Sequence, residues 1–217
     1  MLFDIDGTLL TCGGAGRNAV ARVFERRFGD AATLSFSYGG MTDRGIMRRG
    51  LIGLGEIPEE SLIDVLITEY LAELDAELGR TSTFAIFPEA VALARRLQGA
   101  AFAVGLGTGN VEAGARLKLR RGGIDEFEFG GFGCDHEDRA TLISRGIQRG
   151  RARLGRDDAP AVVIGDTPLD VLAAHACGAQ CIAVATGGYS ALELAPHNPD
   201  ILVDAVDDLS VLEFLST

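Results

Sequence analysis

Leu2-Phe3-Asp4-Ile5-Asp6-Gly7-Thr8-Leu9-Leu10 is the stretch on which the reading of the whole chain turns. Leu2 to Asp6 reads as a short strand. Side chains alternate along a strand, so Asp4 and Asp6 project from the same side. Asp is a poor strand former and its burial as an ion is penalised, so two in one apolar strand call for a use. Gly7 ends the strand, and the Gly-rich run Gly13-Gly14-Ala15-Gly16 follows shortly.

Working outward, Arg17 to about Gly79 is helical in pattern. Ala19, Val20, Val23, Phe24 and Phe28 recur at three- and four-residue spacing. Thr42-Asp43 looks like an N-cap before Ile46 and Met47, and Pro58 starts a further helix with Leu62, Leu66, Leu74 and Leu78 on its apolar side. After Pro88 short apolar runs at Phe102–Leu106, Phe127–Gly131, Ala161–Ile164, Cys181–Ala185 and Ile201–Val203 alternate with helical stretches, roughly Glu89–Leu97, Val111–Arg121, Arg139–Leu154 and Leu169–Ala176. Apolar strands alternating with helices predict an α/β fold, a Rossmann-like parallel sheet covered on both faces. The helical block is then an insertion. The expected division is a core of residues 1–13 and 84–217 and an inserted unit of residues 14–83.

Composition narrows the function. The 217 residues carry 20 Lys plus Arg against 31 Asp plus Glu, a net charge of −11. Such a surface repels phosphate backbones, so nucleic acid is not an expected partner. No apolar run reaches membrane-span length, and the N-terminus is too short and acidic for a secretory signal. Cys12, Cys134, Cys177 and Cys181 lack a CxxC spacing and read as small buried residues in a reducing, cytoplasmic compartment.

Chemistry gathers at the predicted strand ends. Asp4 and Asp6 end the first strand. Gly107-Thr108-Gly109-Asn110 follows the second run, and Gly165-Asp166-Thr167-Pro168-Leu169-Asp170 follows the Ala161–Ile164 run. Open α/β sheets bind ligands at this edge. Four converging carboxylates repel unless cations balance them. Mg²⁺ suits the set, because it takes few carboxylates and keeps oxygens for water and substrate. Arg139 opens a later helix and can reach the same edge.

Phe3-Asp4-Ile5-Asp6-Gly7-Thr8-Leu9, Thr108-Gly109-Asn110 and Gly165-Asp166-x-x-x-Asp170 together resemble the haloacid dehalogenase-like superfamily, in family order and over nearly the whole chain. The long helical insertion resembles the subgroup with an α-helical cap, which includes phosphoglycolate phosphatases and β-phosphoglucomutases. The resemblance implies a phosphatase for a small phosphorylated metabolite. Asp4 would be the nucleophile that becomes an aspartyl phosphate, and Asp6 the general acid and later base. Asp4, the Asp6 carbonyl and Asp166 would hold Mg²⁺. Thr108 with Gly109 and Asn110 would cradle the phosphoryl oxygens. Arg139 would supply the third-motif cation, oriented by Asp170. The family's usual Lys-Pro is missing from Asp135-His136-Glu137-Asp138-Arg139-Ala140, which makes Lys118 the second candidate.

Weaker leads remain. Arg44 lies where related enzymes set a cap residue over the substrate, and the competing reading is a solvated helix charge. Gly14-Ala15-Gly16-Arg17-Asn18-Ala19 fits a loose dinucleotide pattern but sits too far from its strand, and reads as a flexible lead-in to the insertion. His136, His175 and His197 share no metal-ligand spacing. A phosphomutase would use the same two Asp. A receiver-like signalling module is the alternative from another class, and the DxDGT order and the large insertion argue against it.

Overall fold

The computed structural model describes residues 1–29, 31–100, 102–207 and 209–215. In chain order the elements are β1 (Leu2–Phe3), β2 (Leu10–Thr11), α1 (Ala15–Phe28), α2 (Asp43–Gly53), α3 (Glu60–Arg80), β3 (Ala85–Ile86), α4 (Pro88–Gln98), β4 (Gly105–Gly107), α5 (Glu112–Gly122), β5 (Gly130–Gly131), α6 (Arg139–Leu154), β6 (Val162–Gly165), α7 (Pro168–Ala176), β7 (Gln180–Val184), α8 (Ala191–Leu194), β8 (Ile201–Val203) and α9 (Leu209–Phe214).

Six strands form one parallel sheet in the order β5-β4-β1-β6-β7-β8. From β1 the chain builds outward on one side through β4 and β5, then returns to β6 on the other. Strand order therefore reverses beside β1, which is where such sheets open a crevice. Phe3 pairs with both Leu106 and Ile164. That register sets Asp4 level with Gly107 and Gly165, with Thr108 and Asp166 one step beyond.

Alternation along the strands builds two cores. Phe3, Ile164 and Ile182 pack on one face, and Leu2, Val163 and Cys181 on the other. The first core runs on into the inserted helices through Leu66, Tyr70 and Leu74. Within the insertion α3 packs mainly on α1 and also meets α2 and α5.

The chain leaves for the helices and returns from them along a two-stranded antiparallel ribbon, Leu10 opposite Ile86 and Thr11 opposite Ala85. The sequence pattern does not predict this pair, because each strand is only two residues long. Three predicted strands are also shorter than expected: β1 ends at Phe3, so Asp4 and Asp6 follow the strand instead of alternating along it. Pairing starts at Gly105 rather than Phe102, which is 40% exposed. The Phe127 carbonyl accepts from Arg116 instead of a neighbouring strand, so β5 is confined to Gly130–Gly131. Of the four cysteines expected to be buried, Cys12 and Cys181 are, whereas Cys177 is half-buried and Cys134 exposed. Among the described residues no helix is long and apolar enough to cross a membrane.

Candidate active site

The strand ends, the turn before α5 and the first turns of α6 and α7 surround a cavity of about 620 Å³. Asp4, Asp6, Thr108, Gly109, Asn110, Arg139 and Asp166 line it, and Lys118 joins them from α5. Across the cavity the inserted unit contributes Arg17, Tyr38, Gly40, Met41, Asp43 and Tyr70.

The two acidic residues of the first motif face different cations. Arg139 places Nη2 3.2 Å from the Asp4 carboxylate. Lys118 places Nζ 2.6 Å from Asp6 Oδ2. Both cations are buried, because α5 and α6 each lay one polar side chain across an otherwise apolar packing face. The sequence expectation assigned a single cationic role and ranked Arg139 over Lys118. The structure uses both, on separate carboxylates.

Asp170 is consumed by its surroundings. Its Oδ1 accepts from Arg139 Nε and Nη2 at 3.0 and 2.5 Å. Its Oδ2 accepts from the Thr167 amide and hydroxyl at 3.0 and 2.6 Å, which closes a capping box on α7. No lone pair is left pointing at the cavity, so Asp170 orients Arg139 and is a poor metal ligand.

Asp4, Asp166 and Asp170 bring one oxygen each within 4.8 Å of one another. With Asp170 committed to Arg139, Asp4 and Asp166 remain as an oxygen-only donor pair, which suits a hard cation that keeps most of its other ligands as water or substrate. Two glycines make room for Asp166. A Cβ on Gly7, at φ +86°, would sit 2.2 Å from its Oδ2, and one on Gly187 only 1.7 Å away. Burial drives the Asp4 carboxyl up to about 7, and Arg139 only partly offsets the burial and the neighbouring carboxylates. Asp166 is pushed up to about 8 by burial and then by Asp4 and Asp170. The pair is short of positive charge, and the residues therefore fit a divalent ion.

Asp6 is the opposite case. Burial would raise its carboxyl, but the Lys118 charge and hydrogen bonds from Lys118 and Asn110 hold it below the ordinary 3.8. Asn110 ties the site together: its amide nitrogen donates to Asp6 and to the Thr108 hydroxyl, both at 2.8 Å, while its oxygen accepts from Lys118 at 2.6 Å. Thr108 itself is fully buried.

Residues from the insertion reach the same loops. The Asp43 amide donates to the Gly109 carbonyl at 2.9 Å. Arg139 Nη1 donates to the Gly40 carbonyl at 3.0 Å. Gly109 has no room for a side chain, since a Cβ would lie 2.2 Å from the Met41 carbonyl oxygen. Arg44 does not line the cavity, which corrects the expectation of a substrate contact there. Its guanidinium turns to Asp64 and Glu60, both at 2.6 Å, because α3 presents that acidic edge beside it. Asp43 was legible only as a helix-start residue, and nothing in the spacing marked Arg17 or Tyr38.

A protein-family model for haloacid dehalogenase-like hydrolases matches residues 1–178. The chain is 23% identical over 224 residues to "Probable phosphatase IndB" of Dickeya dadantii (strain 3937), covering 96% of this chain and 90% of that protein. Among solved structures it is similar to a hydrolase from Pseudomonas syringae, with TM-score 0.71, 19% identity and coverage of 99% and 96% of the two chains. It is also similar to CbbY from Rhodobacter sphaeroides in complex with phosphate, with TM-score 0.73, 20% identity and coverage of 100% and 98%. At these identities the structural likenesses speak for the Rossmann-like fold.

Proposed function

Since the chain belongs to the haloacid dehalogenase-like hydrolases, we propose that it is a Mg²⁺-dependent phosphatase that hydrolyses a small phosphorylated metabolite by way of an aspartyl phosphate on Asp4. The observation that carries this reading is the separate pairing of Asp4 with Arg139 and Asp6 with Lys118, at 3.2 and 2.6 Å. Two carboxylates two residues apart thus sit in opposite electrostatic settings, which is how one strand end supports two different jobs.

Asp4 attacks phosphorus, and the P–O bond to the leaving alcohol breaks. Arg139 screens the approach of a carboxylate to an anionic phosphate. Thr108 and the amides of Gly109 and Asn110 receive the phosphoryl oxygens. Asp6 gives a proton to the leaving alcohol and later takes one from the water that cleaves the aspartyl phosphate. At rest Asp6 is held ionised by Lys118, so it must gain its proton on substrate binding. An incoming phosphate brings negative charge, which raises the proton affinity of Asp6. Asp4, the Asp6 carbonyl and Asp166 would hold Mg²⁺, which when bound supplies charge neutralisation at the phosphoryl group.

Residues 14–83 serve as the helical cap in this reading, and 1–13 with 84–217 as the catalytic core. The cap closes the cavity and excludes water. A screen of phosphorylated metabolites with Mg²⁺, reading free phosphate, tests the proposal. Release from at least one small monoester, abolished in Asp4→Asn, is expected. No release from any, including p-nitrophenyl phosphate, would overturn it.

A further inference from the structure

Arg17 opens the first helix of the insertion and lines the same cavity as Asp4. Arg17 is an exposed residue, and three neutral groups hold its guanidinium. Nη1 donates to the Leu34 carbonyl at 3.1 Å and Nη2 to the Phe36 carbonyl at 3.0 Å. The ring of Tyr38 lies under it, 3.8 Å from Cζ to the ring centroid. All three partners are neutral. Among the described residues no carboxylate lies within ion-pair distance of Arg17, whereas in the same cavity Lys118 has one and Arg139 has two. In a chain of net charge −11, an unmatched cation on a cavity wall is out of pattern. A guanidinium carries five N–H donors, and carbonyls take two of them here.

A second observation lies at the same wall. The Tyr38 hydroxyl is buried and has no hydrogen-bond partner among the described residues. Buried hydroxyls normally have partners, so an orphan beside a cavity points to a ligand or water that completes it. Arg17 thus holds a positive charge on the wall that the insertion contributes to the cavity, with the orphan Tyr38 hydroxyl in the same wall. The phosphoryl group is already provided for by Arg139, Thr108 and the divalent ion, so this wall meets the other end of the substrate.

We infer that Arg17 is a specificity-determining residue that binds a second anionic group on the leaving alcohol, so that the preferred substrates are phosphomonoesters bearing a carboxylate or a second phosphate. This rests on the phosphatase reading and narrows it. The chemistry shared by the two sources is an anion that accepts from a guanidinium.

Matched pairs of substrates separate the cases. One arm compares 2-phosphoglycolate with 2-hydroxyethyl phosphate, which has CH₂OH in place of the carboxylate. The other compares propane-1,3-diol bisphosphate with its monophosphate. Hydrogen bonds to charged groups predict that wild-type kcat/KM favours the anionic member in at least one arm by about tenfold to a hundredfold. The arm that shows it identifies the anion. In Arg17→Gln that ratio should fall to within about threefold of unity, carried mainly by KM. Equal turnover within both wild-type pairs overturns the inference, and needs no variant to fold. So does a variant that loses rate on both members alike, since a residue that only ties α1 to the 34–36 segment would act that way. If the wild type hydrolyses none of the four, nor p-nitrophenyl phosphate, the phosphatase reading itself has failed.

Discussion

The Asp43 carboxylate accepts a hydrogen bond from the backbone amide of Val111 at 2.8 Å. A residue of the inserted helices thereby caps the helix that carries Lys118. The Asp43 amide bonds the Gly109 carbonyl, so one residue grips both sides of the turn before α5. Arg48 makes a parallel grip on the loop before α6, with Nε and Nη2 on Glu137 at 2.9 and 2.7 Å, two residues before Arg139.

Removing the Asp43 grip should loosen the fold and the turn together. Asp43→Ala leaves the Val111 amide buried without its acceptor, at a cost of about 1–3 kcal/mol. Urea unfolding reads this directly. Asp43→Asn keeps an acceptor and should lose less. Equal stability of Asp43→Ala and wild type would count against the contact.

The same residue makes a pH prediction. Burial raises the Asp43 carboxyl from 3.8 to about 6, against the pull of Lys118 and the Val111 amide. The folded state then holds its proton over a range where the unfolded state has lost it. This contribution is fully present below pH 3.8 and is lost as pH rises through about 6. Between pH 5 and pH 8 the stability of wild type relative to Asp43→Asn should fall by about 1.4 kcal/mol, one proton's worth over roughly one pH unit. Urea titrations of both proteins at those two pH values check it; a gap that widens with pH has the wrong sign.

Asp4→Asn should abolish phosphate release and leave the fold intact. The amide removes the nucleophile at nearly constant shape, and Arg139 keeps Asp170 as a partner. Because Asp4 is buried and short of counter-charge, the melting temperature should hold or rise slightly. More than a few per cent of residual rate would exclude Asp4 as the nucleophile.

The two cations should fail differently. Arg139→Met leaves the fully buried Asp170 without its ion-pair partner, which predicts a loss of about 3–5 kcal/mol on urea unfolding. Lys118→Met frees Asp6, whose side chain is 43% exposed, so its carboxyl rises toward the ordinary range. As the general acid it then keeps its proton to higher pH, so the basic limb of the pH–rate profile should move to higher pH, which a stopped phosphate assay across pH 4–9 (about one point per half unit) would detect. An unmoved limb would separate Lys118 from Asp6 chemistry.

Metal dependence should be steep in pH. EDTA should silence the enzyme and Mg²⁺ restore it, while Ca²⁺, larger and looser in geometry, should inhibit. With Asp4 at about 7 and Asp166 at about 8 before any ion binds, protons compete for the same oxygens. One proton leaves each carboxyl as the ion binds, so apparent Mg²⁺ affinity should weaken by up to about a hundredfold per unit of acidification well below pH 7. Added Mg²⁺ should also raise the melting temperature, and Asp166→Asn should abolish that shift. A wild-type melting temperature indifferent to Mg²⁺ would contradict the assignment.

What the chain settles by itself is what short-range rules encode. The Thr42 cap on α2, the helix start at Arg139 and the capping box of Thr167 with Asp170 all follow from neighbours within four residues. The strands that follow Pro88 follow from runs of apolar residues, and with them the parallel sheet and its ligand-binding edge. Tertiary structure alone decided which cation meets which carboxylate. Lys118 is 112 residues from Asp6 in sequence, and only the packing of α5 against the sheet turns its side chain inward. It also decided that Arg44 spends its charge on α3 while Arg17 faces the cavity, and that Asp43 holds a turn 68 residues away. The phase of a helix about its axis is set by the core it covers, so which polar residue looks into the site is known only once that core is built.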